Sequence, residues 1–233
     1  ISRITFLWVL QIGLLGKANV GKSTFFSAAT ETPVASGNFP FTTIEPNVGV
    51  AYVQSDCACK HFDLKHENPL CINGTRFIPV KLIDVAGLVP GASEGKGMGN
   101  KFLDDLGTAD VLIHVIDASG STNERGESVE TGSYDPINDI KFLEKELDAW
   151  FHQIFERGWN KFARQLQLSG KPVDKSIAEH FSGLKINLKM VRSAFNKTKL
   201  STDLTSWDDE DIKKFSATLR EKSKPIVIAA NKF

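Results

Sequence analysis

Cysteine, net charge and long apolar runs are all scarce in this sequence. The 233 residues include three cysteines, an odd number bunched between Cys57 and Cys71, so no disulfide framework staples the fold. A reducing, cytoplasmic compartment is the expectation. Lys and Arg number 28 against 28 Asp and Glu, which excludes a bulk attraction to nucleic acid and leaves only a local one. The longest apolar run, residues 6–15, is interrupted by Gln11 and falls short of the roughly 20 residues that span a membrane. No small-residue cleavage site follows it, so neither a membrane anchor nor a secretory signal is expected.

What remains is ordinary globular material, 41% hydrophobic and 24% charged, in a length that suits one large domain with an insertion. The first residue is Ile1 and the last are Asn231, Lys232 and Phe233, so the chain is expected to be cut from a longer one. Apolar, β-branched runs predict strands over 6–15, 48–53, 77–85, 111–116 and 225–230, and good helix formers follow the first of them over 22–29. Strands alternating with helices predict an α/β fold with a mostly parallel sheet. Between 136 and 222 the pattern becomes helical throughout. Apolar residues at steps of three and four predict helices over 136–168, with Gly158 a point of interruption, and 172–196. A third is expected to begin at Ser206 as cap, with Asp209 three residues on. The expected division is a nucleotide-binding unit at 1–131 and 224–233 and a helical insertion at 132–223.

Gly16, Lys17, Ala18, Asn19, Val20, Gly21, Lys22 and Ser23 match G-x-x-x-x-G-K-[ST] between a predicted strand and a predicted helix, with Thr24 next. The glycines let the backbone curl so that N–H groups converge on phosphate oxygens. Lys22 is placed to reach the β- and γ-phosphates and the Ser23 hydroxyl to ligate Mg²⁺. Asp84, at the end of a predicted strand, opens D-x-x-G with Gly87: the carboxylate orients Mg²⁺ and the Gly87 amide meets the γ-phosphate. Between these motifs, the proline-punctuated loop carries Thr42 and Thr43, of which Thr43 is the candidate to complete the Mg²⁺ shell as a switch. Asn231 and Lys232 follow the last predicted strand, where guanine-specific P-loop proteins carry Asn-Lys-x-Asp.

Taken in order and spacing, residues 16–24, 38–45, 84–90 and 97–103 resemble the YchF branch of the Obg family of translation-associated P-loop GTPases, nearest to its archaeal-type members. The resemblance implies a GTP-binding and GTP-hydrolysing switch with a helical arm, a link to the ribosome and a C-terminal TGS domain missing here. Some family members prefer ATP; Asn231 and Lys232 favour GTP. Catalysis is expected from Lys22, Thr43 and Gly87 rather than from a side-chain base, because Leu88 stands where Ras-like GTPases carry a water-orienting Gln. Ser93 stands where relatives often carry His, so weak intrinsic turnover is expected. Asn19 matches the Asn that binds K⁺ in cation-activated relatives. An ATPase, or a nucleotide-gated RNA-binding module with negligible hydrolysis, are the alternatives.

Residues 156–199 hold ten basic side chains against three acidic ones, an excess of seven. Such an arm suits RNA or ribosome contact, whereas its aromatics, Trp159 and Phe162, are expected in the helical core. Cys57, Cys59, His61, His66 and Cys71 carry metal-capable side chains, but their spacing departs from the usual paired C-x₂₋₄-C, so they read as reduced thiols and surface histidines with zinc left open. His114, inside a strand, reads as a hydrogen-bonded core residue.

Overall fold

The computed structural model describes residues 10–31, 47–65, 68–85 and 106–232. The apolar run of the first strand forms β1 (Gln11–Leu15), nearly all of it buried. β1 lies between β4 (Thr75–Asp84) and β5 (Val111–Asp117), parallel to both, and β6 (Ile226–Asn231) extends the parallel array beyond β5. On the other side β2 (Asn47–Asp56) runs antiparallel to β4, from Asn47 opposite Asp84 to Asp56 opposite Thr75, and the order across the sheet is β2-β4-β1-β5-β6. The two-residue β3 (Cys71–Ile72) also pairs antiparallel with β4. Its hairpin turn, Asn73 and Gly74 at φ 50° and 77°, has the left-handed pair that a two-residue connection needs. The mostly parallel sheet stands. The strand expected over 48–53 is the antiparallel edge β2, whereas β3 and the short helix α2 (Ala58–Phe62) lacked any periodic signal.

After β1 comes α1 (Lys22–Thr30), and five further helices lie between β5 and β6: α3 (Ile137–Glu156), α4 (Trp159–Ser169), α5 (Val173–His180), α6 (Leu188–Thr198) and α7 (Asp209–Ser223). The helix expected over 136–168 is two, because Arg157 is extended and Gly158 turns at φ 82°. The one expected over 172–196 is also two. A turn at Ser182–Leu184 stops α5, and Asn187 starts α6 by accepting from the Met190 amide at 3.1 Å. Nor does Ser206 cap α7: it sits in the turn Leu204–Ser206, and Asp208 takes the cap by accepting from the Asp211 amide at 2.9 Å.

One apolar core joins one face of the sheet to the helices between β5 and β6. Leu15, Ile83, Val85 and Leu112 belong to the same buried cluster as Leu143, Phe151, Trp159, Ile177, Val191, Phe215 and Leu219. The opposite face of the sheet, with Leu14, Val80 and Leu82, packs on Phe26 of α1. Among the described residues no helix is long and apolar enough to cross a membrane.

Candidate functional site

The parallel strands point their C-terminal ends one way, and the connections that follow β1, β5 and β6 meet there together with Asp84. In open α/β sheets ligands bind at that edge. The loop from Gly16 to Gly21 turns on three left-handed residues, Gly16 (φ 144°), Asn19 (φ 61°) and Gly21 (φ 96°). Two of them need glycine for space as well: a Cβ on Gly16 would come within 2.3 Å of the Val115 carbonyl oxygen, and one on Gly21 within 2.3 Å of Asn231 Nδ2.

Lys22 closes the loop. Its ammonium is buried and donates to the Lys17 carbonyl at 2.8 Å. Burial pulls its pKa down to about 8, partly opposed by the Asp84 carboxylate. One residue on, the Ser23 hydroxyl donates to Asp84 Oδ2 at 2.8 Å, joining motifs 61 residues apart in the chain. Asp84 is fully buried; burial raises its pKa while the Ser23 hydroxyl and the Lys22 charge oppose the rise. Among the described residues its Oδ1 has no hydrogen-bond partner. A buried carboxylate oxygen in want of a partner, beside a hydroxyl and a phosphate-loop lysine, is a hard oxygen donor set, and it fits Mg²⁺.

Asn231, at the end of β6, donates to the Val20 carbonyl at 2.8 Å, and the Lys232 ammonium lies 3.2 Å from Asp117 Oδ2. Burial would raise the Asp117 carboxyl, but the Ser119, Thr122 and Ser121 hydroxyls and Lys232 more than offset it and hold it well below the usual carboxylate range. Asn19 donates to the Gly126 carbonyl at 2.8 Å. The side chain of Lys17 is buried elsewhere: it donates to Thr122 O at 2.7 Å, pairs with Asp139 at 2.9 Å and lies 3.9 Å from the centre of the Tyr134 ring. Tyr134 donates to the other Asp139 oxygen at 2.9 Å. Lys17 therefore offers a ligand its backbone alone. His114 is buried as expected, yet among the described residues its Nδ1 has no partner; burial, then the Lys22 and Lys17 charges, lower its pKa to about 4.

Lys22, Ser23 and Asn231 thus meet at one loop with Asp84 beside it, and Lys232 pairs with Asp117 at the end of β5. Thr42, Thr43, Gly87, Leu88, Ser93 and His66 lie outside the described residues. Asp117, Gly126, Tyr134 and Asp139 were not assigned a role from sequence. No motif pointed to them: Lys17, for example, meets Asp139 on a helix more than a hundred residues on.

In the arm, Trp159 is buried and stacks on Trp207 at 5.2 Å, and Phe162 is half-buried. Of the ten basic side chains nine are exposed; Lys185 is half-buried and pairs with Asp110 at 3.2 Å. Hydrogen bonding with Cys57 and then burial push the Cys59 thiol up to about 11.

Residues 11–149 match the 50S ribosome-binding GTPase family. The chain is 50% identical over 224 residues to a GTP-binding protein of Methanocaldococcus jannaschii, covering 95% of this chain and 56% of that protein. It is 34% identical over 226 residues to the ribosome-binding ATPase YchF of Bacillus subtilis, again covering 95% and 56%. Among solved structures, a GTP-binding protein from Pyrococcus horikoshii superposes with a TM-score of 0.76 at 40% identity, over 96% of this chain and 56% of the other. The chain spans about half the length of the curated relatives it matches.

Proposed function

The chain belongs to the 50S ribosome-binding GTPase family, in its YchF branch, and on that premise we propose that it is the nucleotide-operated part of a GTP-hydrolysing switch that works at the ribosome. The observation that carries this is the convergence on one loop of Lys22, the Ser23–Asp84 hydrogen bond and the Asn231–Val20 hydrogen bond. In this reading the backbone of Gly16, Lys17, Ala18, Asn19, Val20, Gly21, Lys22, Ser23 and Thr24 cradles the phosphates, and the Lys22 ammonium turns from the Lys17 carbonyl to the β- and γ-oxygens. Ser23, Asp84 and Thr43 hold Mg²⁺, which when bound supplies divalent positive charge against the phosphate oxygens. Water attacks in line, and Lys22 and the loop amides, with Gly87, face the charge that develops; no side-chain base takes part. Asn19 is the residue that would hold a K⁺, which would add to that charge.

Asn231 and Lys232 frame the base. The basic face of residues 157–199 is the surface for ribosomal RNA, and a cytoplasmic location follows from that partner. The division into a nucleotide unit at 1–131 and 224–233 and a helical unit at 132–223 assigns one task to each. A second reading, ATP hydrolysis, is favoured by the ATPase name of the Bacillus relative.

Fluorescent GTP and ATP analogues, bound to this chain and to one carried through residue 234, decide between them. Guanine is expected to bind at least tenfold tighter, with Lys22→Ala abolishing both. Equal or adenine-favoured binding overturns the choice of GTP.

A further inference from the structure

Three cysteines without a metal spacing in sequence are brought together at the far end of β2 and β4. β2 ends at Asp56, Cys57 precedes α2, Cys59 lies within α2, and Cys71 opens β3. Their sulfur atoms all lie within 4.8 Å of one another, with Cys59 Sγ and Cys71 Sγ 3.8 Å apart. Asp84 stands at the other end of the same ladder, about 30 Å away at about 3.3 Å per residue. The cluster is therefore separate from the nucleotide site.

The segment that carries it has no core of its own. None of the described residues from 52 to 79 is buried, and Phe62, Leu64 and Ile72 are exposed. A five-residue helix and a two-residue strand are not stable alone. Ordering the backbone costs about 1–2 kcal/mol per residue. Outside the β2–β4 and β3–β4 ladders, the backbone hydrogen bonds that tie it, among them Cys57 to Gly74, Cys71 to Asn68, Phe77 to Leu70 and Leu64 to Cys59, return only about 0.5–1.5 kcal/mol each. The partly buried groups that face one another across these elements, and so could link them further, are the three thiols.

The spacing of the sulfurs selects the link. A disulfide would bring two of them to about 2.05 Å and leave the third over. A tetrahedral centre with metal–sulfur bonds of about 2.3 Å holds sulfurs about 3.8 Å apart. The Cys59–Cys71 separation of 3.8 Å matches the second, and Cys57 Sγ lies within 4.8 Å of both. We infer that Cys57, Cys59 and Cys71 form a three-thiolate site for Zn²⁺, with the fourth position open to a neutral donor, and that this ion holds α2 and β3 against the end of β4. Thiolate sulfur favours Zn²⁺ over the hard cation of the nucleotide site. Binding displaces three thiol protons, so the loaded site carries one net negative charge. Arg76, in register with Cys71 on β4, and Lys65 line the cleft beside Cys57 and Cys59 and balance that charge.

The test is metal content and spectroscopy on the whole chain, purified with reductant and without chelator. One Zn²⁺ per chain is expected. After the zinc is stripped, Co²⁺ should give an intense thiolate-to-cobalt charge-transfer band and the visible absorption of a tetrahedral ion, both erased by Zn²⁺. The band's intensity should be that of three thiolates and should be lost in Cys59→Ser and in Cys71→Ser, with nucleotide binding kept as the check on folding. Where a serine variant fails to fold, the band in the unsubstituted chain decides. Protein free of zinc, without a charge-transfer band and with three freely reacting thiols, overturns the inference. A Cys59–Cys71 disulfide in freshly isolated protein overturns it equally.

Discussion

Lys22 holds its charge at a cost, and that cost makes its chemistry measurable. Burial lowers its pKa to about 8, with Asp84 pulling the other way. A nucleotide phosphate in place of the Lys17 carbonyl adds negative charge and must raise that pKa. Below about pH 8 the lysine is protonated with or without ligand, so its contribution to affinity is flat with pH. Above about pH 8 the empty protein has lost the proton that the complex retains, so binding takes up a proton and affinity falls as pH rises. Calorimetric titration with GDP at pH 9, in two buffers of different ionisation enthalpy, should show that uptake. Lys22→Met should abolish it along with most of the affinity. A binding heat independent of the buffer would mean that the ammonium does not meet the phosphate.

At the level of the helices, the break points decide stability, and they are only partly written in the sequence. Asp208 and Ser206 are rival caps for α7, and only Asp208 bonds the first turn. Asp208→Ala should cost about 0.5–2 kcal/mol in urea unfolding, whereas Ser206→Ala, exposed and outside the helix, should stay within about 0.5 kcal/mol. Equal effects would return the cap to Ser206. The strands were legible because runs such as Val111–Ile116 leave little choice but a buried strand. The break between α5 and α6 was not, because Ile177, Phe181 and Val191 enter the same core and keep the helical spacing of apolar residues across a turn. In the site, residues bound by a motif were legible, as with Lys22, Ser23 and Asp84. Residues bound only by the fold, such as Asp139 beneath Lys17, were not.

Across the whole molecule, the question is whether the helical part can respond to what the loop binds. The core is continuous from Leu15 and Leu112 to Phe151 and Leu219, and polar links cross the same boundary: Lys17 to Asp139 and Lys185 to Asp110. Breaking one buried charge pair costs about 3–5 kcal/mol, a sizeable part of the 5–15 kcal/mol or so by which a domain is stable. Unfolding either part alone would forfeit these links and expose the shared core, so the chain should melt in one transition. Trp150, Trp159 and Trp207 are buried in the stretch between β5 and β6, and the remaining Trp8 lies outside the described residues, so tryptophan fluorescence reports chiefly on the helical part. A fluorescent nucleotide reports on the loop. The two melting curves should coincide, and raising the nucleotide to a hundred times its Kd should add about 2.7 kcal/mol to both. A tryptophan transition that stays put while nucleotide release moves would mean that the helices fold independently and cannot read the nucleotide through this core. A joint shift gives the loop a mechanical route to the basic face, since α3, which holds Asp139 at its start, runs directly to the Arg157 and Gly158 corner where that face begins.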